Sequence, residues 1–189
     1  FGYSGSILPD DSALYAGTTT VVDAGGAGWM TFEEFKETII DHPETRVLSL
    51  INIVGHGMVS KWESNTDDMD PVKTAAKMAE YPDLIVGIKT AHFGGPGWTA
   101  IDRAIEAGNL SKKPVMIDDK IFTNTGRTTR EKVLQKMRPG DMHTHIFNDR
   151  QIEVVIHHHV LVLVHRLQFL QCRLQPVSQL LRRFRLPSP

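Results

Sequence analysis

The sequence predicts an α/β fold built on a parallel β-sheet. Short apolar runs rich in β-branched residues alternate five times with helical patterns along the chain. The central run, 84–86, has no polar alternation and therefore needs cover on both faces, as the strands of a parallel sheet do. Regular alternation of strands and helices with short connections favours neighbouring strands that run parallel, with helices packed against them.

The first half of the chain supplies two of these strands. Residues 18–24 are β-branched and lead into the glycine-rich segment 25–28, which we predict to be a loop. A helix follows, with Thr31 as its cap and Pro43 as its stop. Residues 46–53 then form a second buried strand, because they are again almost continuously apolar.

The second half of the chain continues the alternation. Asp70, with Pro71 at the first helical position, is predicted to open a helix that ends at Glu80. Gly108 is expected to stop the following helix, because glycine is common just past a helix C-terminus. The elements predicted after Glu80 are strand 84–86 running on to Lys89, helix 99–107, strand 114–118, helix 128–137 and strand 142–147.

The composition describes an ordinary globular protein. The 189 residues are 41% hydrophobic and 23% charged with a net charge of −1, which predicts no nucleic-acid partner and no membrane association. The single cysteine, Cys172, excludes an internal disulfide and agrees with a reducing compartment, so we expect a cytoplasmic protein. Because the chain begins at Phe1 rather than Met, we expect its true N-terminus upstream and leave a leader peptide open.

The chain changes character after Val155. Residues 156–189 contain no Gly, Asp, Glu or Lys but carry three consecutive histidines and five arginines. We therefore predict two regions, a folded region 1–155 and a foreign tail 156–189 that arises from a reading-frame error or a cloning scar. The alternative is a basic amphipathic helix that binds nucleic acid or a membrane surface.

Polar residues lie at the predicted ends of four strands, where chemistry gathers in parallel α/β folds. They are Asp23, Lys89, Asp118 and the pair His143 and His145. A lysine at a buried strand end is costly unless it is paired, ligated or modified. Two histidines on one strand face, opposite a lysine and an aspartate, favour a metal site in which Asp118 is an oxygen ligand.

Two further histidines, His56 and His92, lie in predicted loops. Each is either a substrate contact or part of the solvated surface, and the sequence leaves both readings open. The chain has neither a Gly-x-Gly-x-x-Gly fingerprint nor a Gly-x-x-x-x-Gly-Lys-Ser/Thr loop, so nothing predicts nucleotide binding.

Five segments resemble successive strands of the dihydroorotase-like amidohydrolases, and more narrowly of the bacterial amidohydrolase/deacetylase group. These segments are TTVVDAGGAG, RVLSLINIVGHGM, YPDLIVGIKTAHF, KPVMIDD and MRPGDMHTHIFND. The resemblance covers about residues 12–155, and the segments IVGIK and RPGD-x-x-TH are its most specific parts.

The resemblance implies a partial (β/α)8 TIM barrel, strands two to six, that holds one or two divalent metal ions, usually zinc. Lys89 matches the lysine that CO2 carboxylates to bridge the metals, and His145 matches the metal-ligating histidine of the sixth strand. The implied reaction is hydrolysis of a carbon–nitrogen bond in a small cyclic amide or N-acyl substrate. His56, His92 and His143 would then contact the substrate or surround the ligands. A homo-oligomer is left open.

The chain departs from the family pattern at three points. The first-strand His-x-His pair is absent, and Asp118 stands where many members have a histidine ligand. The eighth-strand aspartate, which is the family's general base, would lie beyond residue 155. We therefore expect the parent protein to be a metal-dependent hydrolase but residues 1–189 alone to be inactive.

Two other function classes stay open. An unmodified Lys89 could form a Schiff base with a carbonyl substrate in a lyase or aldolase barrel, which borohydride would trap. A non-enzymatic module could instead bind through the basic tail, in which case deleting residues 156–189 would abolish salt-dependent retention on nucleic acid or anionic lipid.

Overall fold

A computed structural model describes residues 6–90, 92–118 and 130–144. The described residues include the predicted site residues Lys89, His92 and Asp118, but they do not include His145. The predicted tail, 156–189, also lies outside them, so its origin stays a prediction.

A five-stranded parallel sheet forms the centre of the described fold. Its strands follow one another in chain order from β1 to β5, and every neighbouring pair runs parallel. The predicted α/β class and partial-barrel architecture are thus confirmed, and the described strands do not close into a complete barrel. The strands are β1 Thr20–Gly28, β2 Arg46–Asn52, β3 Ile85–Lys89, β4 Val115–Ile117 and β5 Met142–His143.

Helices connect the strands, as the alternating pattern predicts. They are α1 Pro9–Ala13, α2 Phe32–Phe35, α3 Pro71–Glu80, α4 Thr99–Ser111 and α5 Arg130–Lys136. A 3₁₀ turn, Leu14–Ala16, extends α1, and a π-helical turn, Lys36–Ile40, extends α2. Parallel strands need crossover connections of this kind, and the helices pack against the sheet, which helps to explain why its strands read as apolar runs.

The apolar core lies between the sheet and the helices. The largest side chains that lose nearly all solvent contact are Phe32, Ile51, Ile53, Met69, Ile85, Ile88 and Ile117. Two of them, Ile51 and Ile53, lie on β2 and just past its end, where the sequence is most apolar. The core therefore fixes the carboxyl ends of β2 and β3, from which the candidate site projects.

Two element boundaries differ from the sequence prediction. Strand β1 continues to Gly28, although glycines 25–28 were predicted to form a loop. Helix α4 continues through Gly108 to Ser111 and ends at Lys112, which has a left-handed φ of 56°. The prediction that Gly108 stops the helix was therefore wrong; Gly108 is buried inside α4, where a Cβ atom would lie 2.5 Å from the Arg138 guanidinium.

Asp70 caps α3 as its sequence position predicts. Its Oδ1 accepts hydrogen bonds from the amides of Val72 and Lys73, both at 3.0 Å. Substituting Asp70→Ala should lower the free energy of unfolding by about 1 kcal/mol, because two helix-terminal amides lose their acceptor. Urea unfolding of Asp70→Asn provides the matched control, since asparagine keeps the acceptor. Equal losses in the two variants would contradict a capping role.

No helix in the described part of the chain is both long and apolar enough to cross a membrane.

Candidate active site at the carboxyl end of the sheet

Lys89 and Asp118 form a buried ion pair at the carboxyl ends of adjacent strands. The Lys89 Nζ atom lies 2.7 Å from Asp118 Oδ2, and the two side chains are only 3% and 2% exposed. Lys89 also donates to the backbone carbonyl of Thr90 at 3.2 Å, and the Asp118 amide donates to Thr90 Oγ1 at 2.7 Å. The structure therefore brings two predicted site residues from β3 and β4 into direct contact.

His92 joins this pair from the loop after β3. Its Nε2 lies 3.0 Å from Asp118 Oδ2, and its Nδ1 lies 2.9 Å from Glu63 Oε2. The hydrogen bond with Asp118 is the largest influence on the His92 pKa, and it raises that pKa above the ordinary value despite partial burial and the nearby Lys89. The site thus contains a histidine whose protonated form is favoured by a carboxylate on each nitrogen.

Asp118 carries the negative charge that holds the cluster together. Burial acts to raise the pKa of its carboxyl group, but the hydrogen bond from His92 and the adjacent Lys89 ammonium outweigh burial and hold that pKa well below its ordinary range. Asp118 is therefore ionised at neutral pH. A single carboxylate oxygen serves as the common partner of Lys89 and His92.

Gly25 and Asn52 shape the space around the lysine stem. Gly25 has φ +89°, and a Cβ atom there would lie 2.8 Å from Lys89 Cγ and 2.9 Å from Lys89 Cβ. Asn52 is fully buried, donates from Nδ2 to the Gly25 carbonyl at 3.0 Å and accepts the Val54 amide through Oδ1 at 3.0 Å. The reasoning from sequence missed both residues, although an asparagine inside an otherwise apolar strand was an available signal.

Glu63 and Asp68 are two further carboxylates that the sequence analysis did not single out. Both lie between β2 and α3, in a segment that the sequence shows only as polar. Asp68 Oδ2 accepts from the backbone amide of His56 at 3.1 Å and lies 2.7 Å from His56 Nδ1. His56 is therefore partly buried and hydrogen-bonded to Asp68, rather than simply solvated.

The register of β5 separates His143 from the Lys89 cluster. Met116 is in register with both Lys89 and Met142, whereas His143 is in register with Ile117. Because side chains alternate across a strand, His143 and Ile117 lie on the sheet face opposite to Lys89. The structure thus does not bring His143 to the predicted site, because alternate residues of β5 face opposite sides of the sheet and Met142, rather than His143, is on the side of Lys89.

Asp23, on β1, takes part in the local structure of that strand. It pairs in register with Ser49, and its Oδ2 accepts a hydrogen bond of 2.6 Å from the Gly26 amide. This local bond supports β1 at the glycine-rich segment.

The donor chemistry of the cluster fits a divalent metal only in part. A carboxylate oxygen, an imidazole and an amine that carboxylation would turn into an oxygen ligand converge there, as such a site requires. Among residues 6–90, 92–118 and 130–144, however, no three His, Cys, Asp or Glu side chains group in a way that could hold a metal ion. A catalytic zinc site uses three protein ligands, so the described residues supply an incomplete set.

Sequence relatives support the family resemblance. A deacetylase of Agrobacterium fabrum and one of Brucella anthropi are each 29% identical over 153 residues, or 77% of this chain and 37% of those proteins. A deacetylase of Enterococcus faecalis is 28% identical over 151 residues, or 76% of this chain and 39% of that protein. The chain therefore spans well under half the length of these curated relatives, and no protein-family model matches it.

Solved structures show the same likeness in three dimensions. A dihydroorotase superposes with a TM-score of 0.72 and 28% identity, covering 87% of this chain and 47% of that one. An adenine deaminase superposes with a TM-score of 0.64 and 28% identity, covering 74% of this chain and 38% of that one. In sequence and in fold, the chain is amidohydrolase-like and has the α/β architecture of a partial TIM barrel.

Proposed function

We propose that this chain contributes to a metal-dependent hydrolase that cleaves a carbon–nitrogen bond in an N-acyl or cyclic amide. The observation that carries the proposal is the buried Lys89 amine, held against Asp118 at the carboxyl end of the sheet. Chemistry in barrels gathers at this end of the strands. The names of the relatives, deacetylase, dihydroorotase and adenine deaminase, all describe cleavage of carbon–nitrogen bonds and support the same reaction class.

The proposed metal ligands are Lys89 in its carboxylated form and Asp118, together with His145, which the family resemblance implies; His145 lies outside the described residues and past the end of β5 at His143, so the alternation that separates His143 from the site does not extend to it. A bound divalent ion would polarise the amide carbonyl and lower the pKa of a water molecule. Zinc suits the mixture of oxygen and imidazole donors, and the site would take one or two ions. Because the described ligand set is incomplete, activity is proposed for a protein that supplies the remaining ligands.

The side chains around the proposed ligands have distinct roles. Asp118 orients both Lys89 and His92 through one oxygen, while Gly25 leaves room for the lysine stem. The two ring nitrogens of His92 contact the carboxylates of Asp118 and Glu63, which favour a proton on each nitrogen. His92 can therefore present a positive charge beside a substrate. Burial of the pair excludes water and strengthens each of these electrostatic contacts.

Zinc titration in the presence and absence of bicarbonate tests the role of Lys89. Bicarbonate should strengthen zinc binding by the wild-type chain by about tenfold or more, because the carbamate adds an anionic oxygen ligand. Lys89→Arg should lose this effect, since arginine keeps a cation for Asp118 but cannot become a carbamate. Carbon-13 NMR with labelled bicarbonate should show a carbamate resonance only in the wild type with zinc.

The exposed Lys112→Arg substitution is the matched control and should leave the bicarbonate effect intact. Identical zinc affinities for wild type and Lys89→Arg under both conditions would reject the proposed ligand. Reductive trapping of pyruvate on Lys89 by borohydride, with no effect of zinc, would support the lyase class instead.

A further inference from the structure

The imidazole of His56 is a second histidine ring that its neighbours hold in place at the same end of the sheet. His56 follows the carboxyl end of β2, and both its backbone amide and its Nδ1 contact Asp68 Oδ2, at 3.1 and 2.7 Å. The ring of Trp62 stacks on the imidazole with a centroid separation of 4.2 Å and an interplanar angle of 11°. The imidazole is therefore restrained at one edge and on one face.

Asp68 is itself firmly held. It is only 8% exposed, and its backbone carbonyl accepts hydrogen bonds from the Gly55 amide at 3.0 Å and from Trp29 Nε1 at 3.2 Å. An antiparallel bridge between Val54 and Met69 fastens the same segment to the end of β2. The carboxylate that orients His56 thus belongs to the core-anchored part of the loop.

The contact with Asp68 determines which ring nitrogen carries the proton. A carboxylate can only accept from the imidazole, so we assign the hydrogen to Nδ1. With the hydrogen on Nδ1, the lone pair of Nε2 is left to accept a hydrogen bond. The side chain is 31% exposed, so solvent reaches part of the ring although Trp62 covers one face and Asp68 contacts Nδ1.

The loop that covers His56 also contacts the Lys89 cluster. Trp62 stacks on His56, and the next residue, Glu63, contacts His92 Nδ1 at 2.9 Å. His92 in turn contacts Asp118, the partner of Lys89. One loop segment, through the adjacent residues Trp62 and Glu63, therefore contacts both His56 and the candidate site.

We propose that His56 is a substrate-binding residue whose Nε2 accepts a hydrogen bond from the N–H group of an amide substrate. This inference rests on the proposed function for the reaction class and adds the group that recognises the amide nitrogen. Asp68 and Trp62 fix the imidazole before the substrate arrives, so little ordering entropy is lost on binding. His56 would favour primary and secondary amides, which have an N–H group, over tertiary amides, which have none.

Nitrogen-15 NMR of the 189-residue chain tests the inference with two matched probes. N-methylacetamide has an amide N–H, whereas N,N-dimethylacetamide lacks it and is otherwise similar. The His56 Nε2 resonance should respond to N-methylacetamide with a saturating shift, and binding should be about five- to tenfold weaker for N,N-dimethylacetamide. Equal responses to the two probes, or none at His56, would overturn the proposal.

Variants separate recognition from structure. His56→Asn keeps a donor for Asp68 but lacks an atom at the Nε2 position, so it should fold and bind N-methylacetamide about five- to tenfold more weakly. His56→Gln places a carbonyl oxygen near that position and should restore part of the binding. His42→Asn changes an exposed histidine before β2 and should leave binding unchanged. Wild-type affinity in His56→Asn would contradict the proposed contact.

The probe experiment is independent of the metal test. Binding of N-methylacetamide requires His56, whereas the bicarbonate effect on zinc binding requires Lys89. Loss of the zinc effect with a preserved difference between the two probes would reject the metal-dependent hydrolase alone. A preserved zinc effect without any difference between the probes would reject the role of His56 alone.

Discussion

Asp118→Ala is expected to lower the free energy of unfolding by about 3–5 kcal/mol, because it leaves a buried lysine without its counter-ion. The Lys89 and Asp118 side chains are 3% and 2% exposed, and their charged atoms are 2.7 Å apart. His92 loses a partner at the same time. Urea unfolding monitored by circular dichroism at pH 7 would measure the change.

A double substitution tests whether the unpaired charge causes this loss. Adding Lys89→Met to Asp118→Ala should recover much of the lost stability, since an apolar side chain of similar length tolerates burial. The control is Asp102→Ala, whose partner Lys136 is 32% exposed and whose own side chain is 52% exposed. This surface pair should contribute less than about 1 kcal/mol. If Asp118→Ala were no more destabilising than Asp102→Ala, the buried pair would not hold the site together.

Asp141→Ala is expected to lower the free energy of unfolding by a similar amount, about 3–5 kcal/mol, because it removes a different ion pair. The Asp141 side chain is 1% exposed and accepts from the Arg138 guanidinium at 2.8 and 3.1 Å, and also from the Val115 amide at 2.8 Å. Arg138 additionally donates to Asn109 and to the Lys113 carbonyl. These bonds tie the start of β5 to the start of β4 and the end of α4.

The contribution of Asp141 to the free energy of unfolding should depend on pH. Burial acts to raise the Asp141 pKa, but the bonds from Arg138 and Val115 outweigh it and hold that pKa below its ordinary value of 3.8. A folded-state pKa below the unfolded one means that the stabilisation is complete above about pH 5 and is lost as pH falls through the folded-state pKa. The difference between wild type and Asp141→Asn should therefore shrink on acidification below about pH 4.

Two further variants, Arg138→Lys and Asp83→Ala, provide controls for this contact. Arg138→Lys should also destabilise the fold, because lysine cannot reproduce the planar fork of donors. Asp83→Ala removes an exposed carboxylate and should change the free energy of unfolding by less than about 0.5 kcal/mol. A pH-independent difference between wild type and Asp141→Asn would show that ionisation of Asp141 does not contribute.

The arginine–aspartate contact gives a structural role in this chain to a segment that the sequence analysis singled out. The segment Arg138-Pro139-Gly140-Asp141 belongs to RPGD-x-x-TH, one of the two most specific parts of the resemblance seen in the sequence. In the structure, Arg138 and Asp141 join the strand starts, at the end of the sheet opposite to Lys89. A specific sequence match can therefore reflect a buried ion pair that fixes strand geometry.

Local chemistry in the sequence was sufficient to predict the order and type of most elements. Runs such as 46–53 lack polar alternation, and only strands covered on both faces can bury such a pattern. Asp70 before Pro71 predicts a helix start, because the cap and its amides are neighbours in the chain. These predictions hold since the interacting groups lie within a few residues of one another.

The tertiary structure alone decided which side chains meet. Asp118 lies 29 residues from Lys89 in the chain, and their contact depends on the register between β3 and β4. His143 shows the converse, because its position in β5 has the wrong parity for the face that carries Lys89. Gly108 looked like a helix stop, but the Arg138 guanidinium fills the space that its side chain would need. Periodicity along one segment determines its element, whereas register and packing between distant segments determine the site.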